Sequence, residues 1–120
     1  MQRALELREV LERQIAELDA QIREATESFA PQLEQLHSLP GVKAITARDI
    51  IAEIGPDMSR CGSAKRLASW AGVAPGNNES AGKRRKGRAR KGNRYLRRVL
   101  VQGAWAARKT PTFLGRTFRR

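Results

Sequence analysis

The sequence predicts an all-α fold: a long N-terminal coiled-coil helix, then a small helical domain containing a helix-hairpin-helix. Three observations carry this. Apolar residues near the N-terminus keep a heptad spacing. Beyond them, apolar stripes at helical spacing alternate with Gly and Pro stops. No segment shows the strict apolar–polar alternation of a half-buried strand.

The elements follow in order. Leu11, Ile15, Leu18, Ile22, Ala25 and Phe29 are spaced 4-3-4-3-4, a seam of fewer than three heptads that needs a partner helix. Glu9–Arg13 and Asp19–Arg23 stand as i,i+4 pairs in the favourable order, each contributing a few tenths of a kcal/mol. Pro31 breaks or kinks the helix, and Leu33, Leu36 and Leu39 resume an apolar face. Leu39-Pro40-Gly41-Val42 is a tight turn. Ala44, Ala47, Ile50, Ile51 and Ile54 form the next apolar face, closed by Gly55 and Pro56. Ser63 caps AKRLASWA, with Gly72 as its C-cap and Leu67, Trp70 and Ala71 as its buried face. Val73–Gly92, rich in Gly, Asn, Lys and Arg, reads as a loop. Asn93 caps RYLRRVLVQGAWAARK, whose stripe is Leu96, Val99, Leu100, Ala104 and Ala107. After Pro111, TFLGRTFRR starts a last short helix. The domains are thus 1–38, the coiled-coil helix, and 39–120, the helical domain with a basic loop at 75–93.

Charge separates these two parts. The chain has 120 residues and a formal net charge of +12. Residues 1–39 hold four arginines against eight acids, whereas residues 80–120 hold fifteen Lys or Arg and no acid. Such crowded cations repel one another unless water or a polyanion surrounds them, which points to a nucleic-acid partner for the C-terminal half. An anionic membrane fits less well, because the stretch 83–91 has no large apolar residue. Cys61 stands alone, so no disulfide framework is expected. With neither a signal peptide nor an apolar run long enough to span a bilayer, a cytoplasmic location is expected and a membrane partner is not.

Two segments read as phosphate-binding. Pro40–Glu53 has the outline of a helix-hairpin-helix, in which hairpin N–H groups and a helix N-terminus meet a phosphate. Gly41 and Lys43 are its candidate contacts, although the second hairpin position, usually glycine, is Lys43. The alternative is an ordinary helical corner. The stronger segment is the run of Lys83, Arg84, Arg85, Lys86, Arg88, Arg90 and Lys91, continued by Asn93, Arg94, Arg97 and Arg98. Being internal and followed by a capped helix, it is not a mere solvated tail. Tyr95 is the one aromatic close by, so stacking on single strands is not expected to dominate.

Ser80 lies at the edge of this surface, with Gly76, Ala81 and Gly82 around it. It is either a bystander or a nucleophile. A serine attacking a phosphodiester needs a base or metal to take its proton, and His37, the single histidine, is remote in sequence. Residue chemistry alone therefore favours the bystander. Asp49, Glu53 and Asp57 recur every four residues and would offer Mg²⁺ two carboxylates, but a solvated face with Asp57 as a local cap is the simpler reading. His37 and Cys61 lack partners at ligand spacing, and no metal site is expected. Trp70 and Trp105 read as core residues.

The strings LPGVKAITARDIIAEIG and SAKRLASWAGVAPGNNESAGKRRKGRARKGNRYLRRVLVQGAWAA hold GVAP, NNESAGK, RKGN and YLRR in one order. From about Leu39 to Arg120 this resembles the C-terminal domain of the insertion-sequence one-ten/one-sixteen transposases. The resemblance implies a DNA recombinase whose full-length form has an N-terminal ribonuclease-H-like domain with an acidic, metal-binding tetrad, a coiled coil, and then this domain. Many such enzymes are guided by a structured RNA, and their C-terminal domain supplies a serine that joins DNA covalently. The family loop commonly reads as two serines before glycines. Here Glu79 holds the first place, so the resemblance assigns the nucleophile to Ser80.

It also implies that Mg²⁺ belongs to the acidic domain and that no cofactor belongs to this chain. Met1 opens directly into the coiled coil, and TFRR ends where the family usually continues, which suggests a fragment, a decayed copy or an isolated domain. The expectation is a chain that binds DNA, with a structured guide RNA as second partner, self-associates through residues 1–38, and does not recombine DNA alone. The rival readings are a non-catalytic DNA- or RNA-binding helix-hairpin-helix protein and a dimerising regulator of a transposase.

Overall fold

A computed structural model describes residues 1–120, apart from the side chain of Arg84. Six α-helices and a two-stranded ladder follow one another along the chain, so the expected helical class holds. Two units are distinguished, Met1–Pro31 and Gln32–Arg120.

The first unit is helix α1 (Gln2–Thr26) followed by a 3-10 turn, Glu27–Phe29. Leu, Ala, Glu, Gln and Arg dominate α1, all strong helix formers. None of its residues is buried. Its one ion pair is Arg8 Nε to Glu12 Oε1 at 2.9 Å. The expected Glu9–Arg13 and Asp19–Arg23 pairs do not form, and Arg23 Nε instead donates to the Asp19 carbonyl oxygen. On an exposed helix such pairings differ by only tenths of a kcal/mol, so their choice is weakly determined. At the end of α1 the Thr26 hydroxyl donates back to the Ile22 carbonyl at 2.7 Å. Pro31 has no N–H for an i→i−4 bond and its ring crowds the carbonyl of Glu27. The chain tightens into the 3-10 turn there, and α2 (Ala30–His37) begins with Pro31 in its first turn, where proline is tolerated. Pro31 thus interrupts the helix without ending it.

In the second unit α2 leads through a short turn into α3 (Ala44–Ile54). Val42 N donates to the Leu39 carbonyl, and Gly41 adopts φ +86°. Ala47, Ile50 and Ile51 of α3 are buried, and Gly55 closes the helix, its N–H returning to Ile51 O at 2.8 Å. Asp57 then caps a 3-10 turn, Met58–Cys61. Ser63 caps α4 (Ala64–Trp70), accepting from Arg66 N. The C-cap of α4 is Ala71, with Gly72 one residue beyond at φ +72°.

Helix α5 (Arg94–Ala107) packs against α3 and is the central element. Leu96, Gly103 and Ala107 are buried, whereas Ala104, expected in the stripe, is exposed. At about 100° per residue, positions 96, 103 and 107 fall within roughly 20° of one line, and 104 lies about 80° away. Ile50, Ala71 and Leu96 form the core, with Leu36, Val42, Ile54, Leu67, Val99 and Leu100 against it. Thr112 caps the last helix, α6 (Phe113–Phe118).

The two tryptophans are not core residues: Trp70 is 48% and Trp105 56% exposed. Trp105 lies about 180° from Leu96 around α5, so helical phase outweighs its size. Its ring instead meets Phe118 of α6 at 6.0 Å, with the Arg108 guanidinium 5.0 Å from one ring and 5.3 Å from the other.

Candidate nucleic-acid interface

Residues 73–92 do not form an open loop. They double back as an arm whose tip is a two-stranded antiparallel ladder, β1 (Glu79–Ser80) and β2 (Lys83–Arg84), with Ser80 opposite Lys83. Ala81 and Gly82 make the turn at φ +52° and +74°. Two successive positive φ values define the hairpin turn whose twist suits paired strands. Below the ladder, Arg85 N donates to Asn78 O at 2.8 Å, and at the root Asn93 N donates to Trp70 O at 2.9 Å.

Between these bonds the two legs touch through glycines. A Cβ on Gly76 or on Gly87 would collide with the facing backbone, at Arg88 and Gly76 respectively. Gly72 and Gly92 meet in the same way nearer the root. Sequence reading missed this arm because its pairing depends on glycine, not on β-branched residues. The available signal was symmetry: Gly76 and Gly87 are equidistant from the Ala81–Gly82 turn, and Gly72 and Gly92 nearly so.

Ser80 therefore sits at the exposed tip, one residue before the turn. Lys83, Arg85, Lys86, Arg88, Arg90 and Lys91 lie along the returning leg, while the side chain of Arg84 lies outside the described residues. Among the described residues the only ion pair is Arg8–Glu12, so the arm's described cations have no carboxylate partner. Arg94, Arg97 and Arg98 continue from the root onto the first turns of α5, all exposed, with Arg94 5.2 Å from the Tyr95 ring. Arg98 shares a cleft with Asp49 and Glu53 without a salt bridge to either.

Asn93 is engaged inside the protein. Its Oδ1 accepts from Tyr95 N and Leu96 N, both at 3.0 Å, and its Nδ2 donates to Glu53 Oε2 at 2.7 Å. The arm is thereby anchored to α5 and α3 together. The same bond occupies one oxygen of Glu53. Among the described residues no three His, Cys, Asp or Glu side chains converge to hold a metal ion. Asp57 is the local cap expected: its Oδ1 accepts from Ser59 N at 3.0 Å, and hydrogen bonds from the Ser59 side chain and backbone, with Arg60 nearby, hold its pKa below the ordinary 3.8.

The Gly41–Lys43 corner is a separate place. Gly41 packs on α5, where a Cβ would collide with the Gly103 carbonyl oxygen and stand 2.8 Å from Ala107 N. Helix contact thus accounts for this glycine. Gly103 is ten residues along α5 from Asn93, roughly 15 Å at 1.5 Å per residue, so the corner and the arm's root are two patches. Lys43 is exposed, and no side chain caps α3.

The chain belongs to the transposase IS116/IS110/IS902 family, whose model matches residues 33–117. It is 36% identical over 90 residues to the insertion element IS900 uncharacterized 42 kDa protein of Mycobacterium paratuberculosis. That alignment takes in 75% of this chain and 22% of the relative, so the chain spans about a fifth of that protein's length. No solved structure matches it. Among the described residues no helix is long and apolar enough to cross a membrane.

Proposed function

We propose that this chain is the DNA-binding, serine-bearing C-terminal portion of an insertion-sequence transposase, and that Ser80 is its nucleophile. The observation that carries the reading is the exposed position of Ser80 at the arm tip, directly opposite Lys83 and followed by cations that, among the described residues, have no carboxylate partner. In the reaction the Ser80 Oγ–phosphorus bond forms and a phosphorus–oxygen bond to a DNA sugar breaks. The hydroxyl proton passes to a base, and the departing sugar oxygen gains one. Cations beside the phosphate stabilise the charge that develops on its oxygens. No histidine stands near Ser80 in sequence, so on this reading the chain binds DNA and the family's acidic domain supplies the activation. A structured guide RNA would use the same cations.

The test supplies the chain with the acidic domain of a full-length relative and a labelled DNA substrate. A covalent protein–DNA adduct is expected, lost in Ser80→Ala with DNA affinity retained. An adduct that survives Ser80→Ala overturns the assignment of Ser80, and no adduct with the unaltered chain leaves a non-catalytic DNA- or RNA-binding helix-hairpin-helix protein as the alternative.

A dimerising regulator of transposase is favoured by a different observation. Leu11, Ile15, Leu18 and Ile22 of α1 are 44–58% exposed along one seam. A second copy of residues 1–38 would cover them, and this pairing is compatible with the catalytic reading.

A further inference from the structure

At the root of the arm lies a cavity of about 370 Å³, lined by Glu53 and Ile54 of α3, Arg60 and Cys61 of the 3-10 turn, and Arg66, Leu67 and Trp70 of α4. Its volume is at the lower end of the range for small-ligand sites. Three features stand together in it. Trp70 offers a large aromatic surface that is half exposed although the core lies beside it. Arg60 and Arg66 have no carboxylate partner among the described residues, and Arg66 Nη1 lies against Gly62, 3.0 Å from where a Cβ would be. Glu53, also in the lining, is fixed by its bond from Asn93 Nδ2.

We propose that this cavity takes one unpaired nucleotide of a single strand, its base against Trp70 and its phosphate on Arg60 and Arg66. Base–aromatic stacking tolerates any base, because each has a π-face, and guanidinium groups supply the phosphate contacts. Apolar Ile54 and Leu67 suit a base and not a sugar-phosphate. The fixed Glu53 carboxylate repels phosphate, which orients the nucleotide with its anionic end toward the arginines. Placement supports the same occupant: Asn93 N donates to Trp70 O, so the returning leg of the arm ends beside the cavity. A strand held along the arm's cations arrives there. The inference rests on the nucleic-acid reading above but is independent of Ser80 chemistry.

The test uses the full chain in a Trp105→Phe background, so that emission reports Trp70 alone. Single-stranded DNA, single-stranded RNA and duplex DNA of one sequence are titrated separately, which shows which backbone is taken. Quenching by a single strand but not by the duplex is expected. Trp70→Ala should weaken single-strand binding about 5- to 150-fold and leave duplex binding within about twofold, whereas Trp70→Phe retains most of the affinity. Arg60→Ala with Arg66→Ala should reduce the single-strand salt slope by about one. Strand binding that neither quenches Trp70 nor responds to Trp70→Ala overturns the pocket and leaves the nucleic-acid reading standing. If neither strand nor duplex binds, both fall.

Discussion

Asn93 joins three parts of the molecule through one side chain. Its carbonyl oxygen caps α5 and its amide nitrogen holds Glu53 of α3, at the residue where the arm returns. Asn93→Ala loses a cap worth about 1 kcal/mol and a hydrogen bond to a charged group worth about 1.5–3 kcal/mol, so chemical denaturation should show a loss of about 2–4 kcal/mol. Asn93→Asp keeps the cap but sets two carboxylates together, and should lose stability as pH rises through the carboxylate range. Asp57 responds to pH in the opposite sense. Hydrogen bonds from Ser59 lower its pKa in the folded chain, so its contribution is present above the ordinary value of 3.8 and is lost as pH falls through the lowered folded value. Amide exchange at Ser59 should speed up over that window, and Asp57→Asn should remove the pH dependence. Next to Ser80, Ala81 holds the one positive φ of a non-glycine residue, a conformation that costs roughly 1–2 kcal/mol. Ala81→Gly should relieve it, and arm amides should then exchange more slowly.

At the scale of elements, glycines determine which backbones meet. The α3 entry turn sits on α5 through Gly41, whose positive φ and lack of a side chain are both required. Gly41→Ala should lower the thermal midpoint sharply or abolish folding. Its neighbour behaves differently: a Cβ on Gly103 would stand an ordinary 3.7 Å from Gly41 O. Gly103→Ala should therefore be neutral or stabilise by up to about 1 kcal/mol through helix propensity, as a thermal melt will show. In the arm, Gly76→Ala or Gly87→Ala should separate the legs and weaken DNA binding while the α3–α5 core stays folded. Equal DNA affinity in either variant would mean that the cations act without the arm's shape. The caps Asp57, Ser63 and Asn93 were legible in the sequence because capping is local, decided within three residues. The arm was not, because its pairing joins residues up to twenty apart through groups with no side chain.

Across the whole molecule, charge sets the behaviour expected in solution. If six to ten of the cations meet phosphate, DNA affinity should fall about 10³- to 10⁵-fold between roughly 50 and 200 mM salt. A flat salt response would remove the arm from the interface. The proposed self-association falls on the other unit: if residues 1–38 pair two copies, Leu18→Glu with Ile22→Glu should convert the dimer to monomer in sedimentation, with DNA binding per chain retained. The sequence by itself determined the helical class, the helix stops, the basic half and the family, since each rests on local periodicity, turn chemistry, composition or motif order. It placed Trp70 and Trp105 in the core, left open how its two phosphate-binding segments are spaced and left Ser80 in a loop. Only the tertiary structure decided those matters. Helical phase turned Trp105 outward, the length of α5 separated Gly41 from the arm, and backbone contact between distant glycines made Ser80 the tip of a hairpin. The last two depend on which distant segments touch, a property that no single stretch of chain contains.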